Sequence, residues 1–209
     1  MQFADRNEAA DKLADRLAPY RGRRPLVLGV PRGGVVLAAR IAERLAGDVD
    51  VVLTHKLGAP GEPEVAIGAI DESGHVFLND PRWRREQAAY LARVAAGQLA
   101  ELRRRRNLFS AGRAAHDPAG RLVIVTDDGL ATGATMLAAL RVVRACQPER
   151  LIVAVPVAPP DTLEKVAALA DETVCLEAPS WFTAVGQFYL DFGQVEDAEV
   201  VELLQGKRR

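Results

Sequence analysis

The residues Val123-Ile124-Val125-Thr126-Asp127-Asp128-Gly129-Leu130-Ala131-Thr132-Gly133-Ala134-Thr135 decide how this chain is to be read. Leu122 to Thr126 is a continuous apolar run, short enough for a strand buried on both faces, and Met136 to Ala145 has the composition of a helix. Upstream, Leu26 to Val30 reads as a buried strand ending at Pro31, Val35 to Leu45 as a helix, and Val51 to Leu53 as a second strand. Downstream, Leu151 to Val157, Thr162 to Ala170 and Thr173 to Leu176 read as strand, helix and strand. Asp5 to Leu17 carries Ala9, Ala10, Leu13 and Leu17 at helical spacing with Pro19 behind it, an amphipathic helix. Three stretches interrupt the alternation. His55 to Pro63 holds two glycines and two prolines and is expected to be a loop; Val65 to Ile70 and Val76 to Leu78 are short strands about the turn Glu72-Ser73-Gly74. Pro81 opens one long helix, whose stripe of Leu91, Ala95, Leu99 and Leu102 decays near Gly112. The class predicted is α/β: a mostly parallel twisted sheet flanked by helices, since parallel neighbours need crossover connections.

With 209 residues, 49% hydrophobic and 26% charged, the chain is expected to be soluble with a sizeable core. A single domain over residues 1–209 is expected, its core at about 20–158 and a small hood formed by the N-terminal helix and residues from about 172 to 209. No apolar run approaches the ~20 residues needed to span a bilayer, and Asp5, Arg6 and Glu8 interrupt any secretion-signal pattern, so a cytoplasmic protein without a membrane partner is expected. Cys146 and Cys175 sit in apolar surroundings far apart in sequence and are expected to be buried reduced thiols, not a disulfide or a zinc site. The net charge of −1 argues against a chain built for nucleic acid, yet nine arginines and two glutamates between Arg82 and Arg113 give that stretch +7 and leave −8 elsewhere. Such a helix is a solvated face, a subunit contact or an RNA surface; the lack of interleaved aromatics near Arg103 to Arg106 favours the first two.

Ligands of parallel sheets bind at the carboxyl ends of the strands, where Asp127 and Asp128 leave Thr126. Adjacent like charges there are costly unless water, a cation or ligand hydroxyls face them. Thr132-Gly133-Ala134-Thr135 then brings small residues to a helix start, where backbone N–H groups converge on an anion. Hydroxyls at one end and a phosphate at the other, a sugar's width apart, describe ribose 5-phosphate. The bland alternative is a solvated turn in which Asp128 or Thr132 only caps the helix.

Val123 to Thr135 resembles the ribose-phosphate-binding signature of the type I phosphoribosyltransferases. The segments L-G-V-P-R-G-G (28–34), K-L-G-A-P-G (56–61) and A-V-G-Q-F-Y-L-D-F-G (184–193) resemble an uncharacterised bacterial branch of that family, so the resemblance covers most of the chain. It implies a Mg²⁺-dependent transfer of ribose 5-phosphate from phosphoribosyl pyrophosphate to a nitrogenous base, with release of pyrophosphate; a homodimer working in nucleotide metabolism is expected. Asp127 and Asp128 would hold the ribose 2′ and 3′ hydroxyls. Gly129, Ala131, Thr132, Gly133, Ala134 and Thr135 would contact the substrate, the last five at its 5-phosphate. Pro31, Arg32, Gly33 and Gly34 leave a buried strand and enter a helix, a second anion cradle that the family uses for pyrophosphate, often through an unusual cis peptide, here Pro31–Arg32. By themselves those four residues equally describe a tight helix entry. Lys56 would be a third pyrophosphate contact; His55 stands where that family more often has arginine. Equal grip on substrate and transition state accelerates nothing. The catalytic set expected is therefore Arg32 and Lys56 at the departing pyrophosphate, with Asp127 and Asp128 beside a cation-like ribose. Mg²⁺ is expected on the substrate's own phosphates, with Asp127 and Asp128 as the protein carboxylates open to it.

The acceptor side is less legible. Trp181, Phe182, Phe188, Tyr189 and Phe192 are five of eleven aromatics. Trp181, Phe182 and Tyr189 are candidates to stack on a planar base, and Asp191 to orient one or cap a turn; the alternative is a satellite core against the N-terminal helix. A non-catalytic rival keeps the same pocket but senses phosphoribosyl pyrophosphate and engages RNA or a protein partner. The absence of G-x-x-x-x-G-K-[ST], H-E-x-x-H and G-x-S-x-G removes the common nucleotide-hydrolysis, zinc-protease and serine-hydrolase signatures.

Overall fold

A computed structural model of the chain describes residues 2–110 and 112–206; the last three residues of the expected hood lie outside them. The main sheet is wholly parallel. Its strands β1 (Leu26–Gly29), β2 (Asp48–Val51), β6 (Leu122–Thr126), β7 (Arg150–Val157) and β8 (Glu172–Glu177) lie in the order β2-β1-β6-β7-β8. Side chains alternate across it as the pleat requires. Val27, Ile124 and Ile152 share one core with α1 (Arg6–Arg16) and α2 (Gly33–Leu45). Leu26, Leu28, Val123, Val125, Leu151 and Val153 share the other with α5 (Ala134–Ala145) and α6 (Pro160–Ala167). Every residue of β6 is buried.

The chain leaves β1 for β2 on one side and later returns to place β6 on the other. The gap between β1 and β6 is therefore the point where strand order reverses, the usual ligand crevice of an open α/β sheet. Gly29 pairs with Thr126, the last residues of their strands, so the two following loops leave the rim side by side.

Several expectations need correction. His55 to Pro63 is no loop: β3 (Thr54–Ala59) and β4 (Glu62–Asp71) form an antiparallel hairpin closed by Pro60-Gly61, and β5 (Val76–Leu78) completes a separate three-stranded sheet. Proline followed by a glycine at φ +79° is a turn composition, and two register shifts at Leu57 to Ala59 absorb the small residues. The single helix expected from Pro81 is two, α3 (Arg82–Glu86) and α4 (Ala88–Ser110), divided at Gln87 with φ −130°. The N-terminal helix expected in the hood is shared: Ala10, Leu13, Ala14 and Leu17 are buried in the main core with α2, while Ala9 packs with Phe188 and Tyr189. β8 is the sheet's outer strand, so the segment reaching over the rim starts only after Glu177. It ends in α7 (Asp197–Leu204), which packs on α2 and α4. The two cysteines are free and half-buried; burial pushes the Cys175 thiol up to about 11.

The arginine-rich helix is divided in its duties. Arg106 turns inward, donating to Asp50 and Glu72 at 2.7 Å each and to the Val51 carbonyl at 3.0 Å, and so clamps α4 across β2 and the β4–β5 turn. Arg103 and Arg104 are exposed, and Arg104 pairs with Glu101 one turn away. Removing one partner of a buried pair strands the other charge, whereas a surface pair contributes little. Arg106→Met is therefore expected to lower unfolding stability by about 3 kcal/mol in urea titrations, while Arg104→Met leaves the midpoint where it was.

Candidate functional site

The site is built from the β1 and β6 exits. Asp127 Oδ1 accepts the backbone N–H of Asp128 at 2.9 Å, and Asp128 Oδ2 accepts Arg6 Nε at 2.8 Å. Each carboxylate thus keeps one oxygen with no hydrogen bond among the described residues. Burial, reinforced by the Asp128 charge, pushes the Asp127 carboxyl well above the usual carboxylate range. Burial also raises Asp128, against which the Arg6 guanidinium works. Tyr189 is buried and its hydroxyl donates to the Asp128 carbonyl at 2.6 Å, fixing the backbone just after the second acid.

Past the acids, Leu130 N–H bonds the Val157 carbonyl at 2.9 Å and Thr162 Oγ1 donates to the Ala131 carbonyl at 2.8 Å, so the loop is tied to the end of β7 and to α6. Gly133 begins α5 with no side chain capping the helix. Ala134 N–H reaches Thr132 Oγ1 at a long 3.4 Å, and the N–H groups of Thr135 and Met136 find no acceptor among the described residues. Ala131, Thr132 and Thr135 are exposed, Ala134 is half-buried, and Gly129 and Gly133 are buried beneath them. Unpaired amides at the positive end of a twelve-residue helix favour a negative charge beside them.

The β1 exit presses against the acids. Val30 N–H bonds the Thr126 carbonyl at 2.9 Å, and the peptide between Pro31 and Arg32 is cis. A Cβ on Gly33 would lie 1.9 Å from Asp128 Oδ2; one on Gly34 would lie 2.7 Å from the Thr126 carbonyl oxygen and 2.9 Å from Asp127 Cα. No side chain fits at either position, so glycine is required for close approach here and not merely for a tight helix entry. Arg32, half-buried, points its guanidinium to Asp197 at 3.8 Å and Glu196 at 4.0 Å, distances that leave it weakly held. A cleft of about 390 Å³ opens between Arg6, Arg32, Gly33 and Asp128 on one side and Phe192 to Val195 on the other.

The remaining candidates are scattered. Lys56 lies in β3 opposite Ala69, half-buried, outside the residues lining that cleft. Burial and the neighbouring Lys56 and Arg105 charges lower the His55 pKa. Phe188 and Tyr189 pack with Phe3, Ala9 and Val157 in a satellite core, with Phe182 against it. Tyr189 lies between Phe3 and Phe192, ring centres 5.5 and 4.9 Å away, and Trp181 stacks on Phe188 while 69% exposed. Asp191 caps a turn, accepting Gly193 N–H at 3.1 Å. Arg6, 122 residues from its partner, is the contact that sequence reasoning missed.

Residues 3–193 match the family model described as Phosphoribosyl transferase domain. The chain belongs to the phosphoribosyl transferase family. Over 209 residues it is 44% identical to two curated Mycobacterium tuberculosis proteins, "Putative phosphoribosyl transferase MT0597" of strain CDC 1551 / Oshkosh and "Putative phosphoribosyl transferase Rv0571c" of strain ATCC 25618 / H37Rv. The match covers 99% of this chain and 47% of theirs, so the chain spans about half the length of the curated relatives it matches. The crystal structure of TT1426 from Thermus thermophilus is similar at 48% identity and a TM-score of 0.92, covering 99% of each chain.

Two consequences for this phosphoribosyl transferase fold can be measured. Tyr189→Phe removes the hydroxyl donor to the Asp128 carbonyl and should cost about 1 kcal/mol in chemical denaturation, with the fold intact by circular dichroism. Gly34→Ala meets the backbone of Thr126 and Asp127 and should cost more than Tyr189→Phe in the same titration, because β6 cannot withdraw without breaking its ladder.

Proposed function

We propose that this phosphoribosyl transferase domain is a Mg²⁺-dependent enzyme that transfers ribose 5-phosphate from phosphoribosyl pyrophosphate to a nitrogenous base. The observation that carries the reading is that one strand end presents both an acid pair with unbonded oxygens and an uncapped helix N-terminus, while a glycine-lined second loop touches the acids. The ribose hydroxyls bond Asp127 and Asp128, and the 5-phosphate takes the Thr135 and Met136 amides with the Thr132 and Thr135 hydroxyls. The pyrophosphate lies toward Pro31 to Gly34, where Arg32 swings from its long contacts with Asp197 and Glu196, and Lys56 approaches from β3.

In the reaction the bond from ribose C1 to the pyrophosphate oxygen breaks, a bond from C1 to a base nitrogen forms, and the base loses a proton. Asp127 and Asp128 place negative charge beside the ribose as it becomes cation-like, and Arg32 and Lys56 stabilise the negative charge gathering on the departing oxygen. The residues present fit a magnesium ion that takes most of its ligands from substrate phosphates: Asp127 and Asp128 are the carboxylates at the site, and no three His, Cys, Asp or Glu residues converge on a cage among the described residues. When bound, Mg²⁺ would neutralise charge on the leaving pyrophosphate. Trp181 and Phe182, at the surface of the satellite core, are the stacking surface for a planar base; Tyr189, turned inward, serves the acid loop instead.

The test is a panel of purines, pyrimidines and related heterocycles incubated with phosphoribosyl pyrophosphate and Mg²⁺, monitoring pyrophosphate. At least one acceptor should release it, and the Asp127→Asn, Asp128→Asn double variant should slow that release at least about 100-fold. Tight binding with no release for any acceptor would point to a ligand sensor instead. Thr132→Ala should weaken ribose 5-phosphate about tenfold in calorimetry, the equivalent of one charge-assisted hydrogen bond.

A further inference from the structure

Arg6 lies outside the sequence segments 28–34, 56–61, 123–135 and 184–193 quoted above, yet its side chain is 12% exposed and reaches the acid pair. Three constraints immobilise it. Its Nη1 donates to the Gly193 carbonyl at 2.8 Å, its guanidinium carbon lies 4.0 Å from the Phe192 ring centre, and its Nε holds Asp128 Oδ2. The backbone that carries it is pinned as well: Phe3 N–H bonds the Phe188 carbonyl, Leu190 N–H bonds the Phe3 carbonyl and Asp191 N–H bonds the Ala4 carbonyl, at 2.8, 2.8 and 2.9 Å. The oxygen that Arg6 holds, Asp128 Oδ2, also meets the bare Gly33 backbone, with room for no further carbon. Asp128 is thus clamped in one orientation, with its Oδ1 left open, as is the Oδ2 of the adjacent Asp127.

A guanidinium bound to only one oxygen of a carboxylate leaves lone pairs for a second partner. It also offsets one of two adjacent negative charges that an anionic ligand must approach. We propose that Arg6 is a positioning residue for the sugar subsite: it fixes the plane of Asp128 so that Asp127 Oδ2 and Asp128 Oδ1 together recognise two neighbouring hydroxyls of a ribose phosphate. This rests on the reading of the site given above and adds a determinant of sugar selectivity supplied by the N-terminal helix.

The experiment is calorimetry of the whole chain with Mg²⁺ and three probes: ribose 5-phosphate, 2-deoxyribose 5-phosphate, which lacks one of the two hydroxyls, and xylose 5-phosphate, in which the other is inverted. Wild type should prefer the ribose compound over both by about tenfold or more, since each lost hydroxyl removes a hydrogen bond to a charged acceptor. In Arg6→Ala the preference over at least one of the two altered sugars should fall to about twofold, and Arg6→Lys should restore part of it. Arg6→Met, which keeps the apolar stem out to the position of Nε but has no donor, serves the same comparison if the alanine variant does not fold. Uniform weakening of all three probes, with the preferences unchanged, would show that Arg6 is merely structural and overturn the inference while the site stands. Failure of wild type to bind ribose 5-phosphate would overturn the reading of the site itself, and this inference with it.

Discussion

The contact between the Gly33-Gly34 backbone and the Asp127-Asp128 pair is the constraint on which the rest of the structure depends. β1 and β6 end in register, and a parallel sheet gives adjacent exits little room to diverge before their helices begin. Two side-chain-free residues on one exit allow two acids on the other to remain at the rim. A Cβ at position 33 would occupy the place of the Asp128 carboxylate, and with it the end of the Arg6 bridge. Sheet register, glycine placement and acid placement are therefore one requirement seen at three levels.

The terminal segments answer a second requirement. Two adjacent half-buried carboxylates lose hydration, which pushes both toward protonation, and the Asp128 charge adds to the effect on Asp127. The chain brings up one cation, Arg6, and one neutral donor, the Tyr189 hydroxyl, each from a segment remote in sequence. A pair of this kind is weak evidence for stability, since desolvation offsets much of its attraction. Its geometry says more than its energy: Arg6 joins the acid loop to the 191–195 segment that forms the cleft's other wall.

The parallel sheet was legible because its strands are continuous apolar runs with one period and its helices another, and β6, β7 and α2 fell where that rhythm put them. The hairpin of β3 and β4 was not, because Gly58, Pro60 and Gly61 signal a turn without saying that the flanking residues pair across it. Helix α7 was missed although acidic Glu196, Asp197 and Glu199 before Val200 to Leu204 are a helix-start signal. Within the site, the acid pair, the small-residue loop and the glycine pair could be read locally, since each is contiguous. Arg6 on Asp128, Tyr189 on the Asp128 carbonyl and Arg106 on Asp50 are long-range pairings, and one sequence carries no signal for them. Similarly, Tyr189 as an acceptor-stacking ring and Tyr189 as an anchor have the same residue letter and differ only in which way the ring faces.

Under the proposed function, one strand exit grips a sugar by its hydroxyls and its phosphate at once. A crystal structure of the chain with ribose 5-phosphate and Mg²⁺ tests it most directly. The account requires the phosphate on the amides of Thr135 and Met136 and two ribose hydroxyls on Asp127 and Asp128, with the Arg6 bridge still closed. A sugar phosphate bound elsewhere, or bound at the helix start with both acids making no contact to it, would contradict the account.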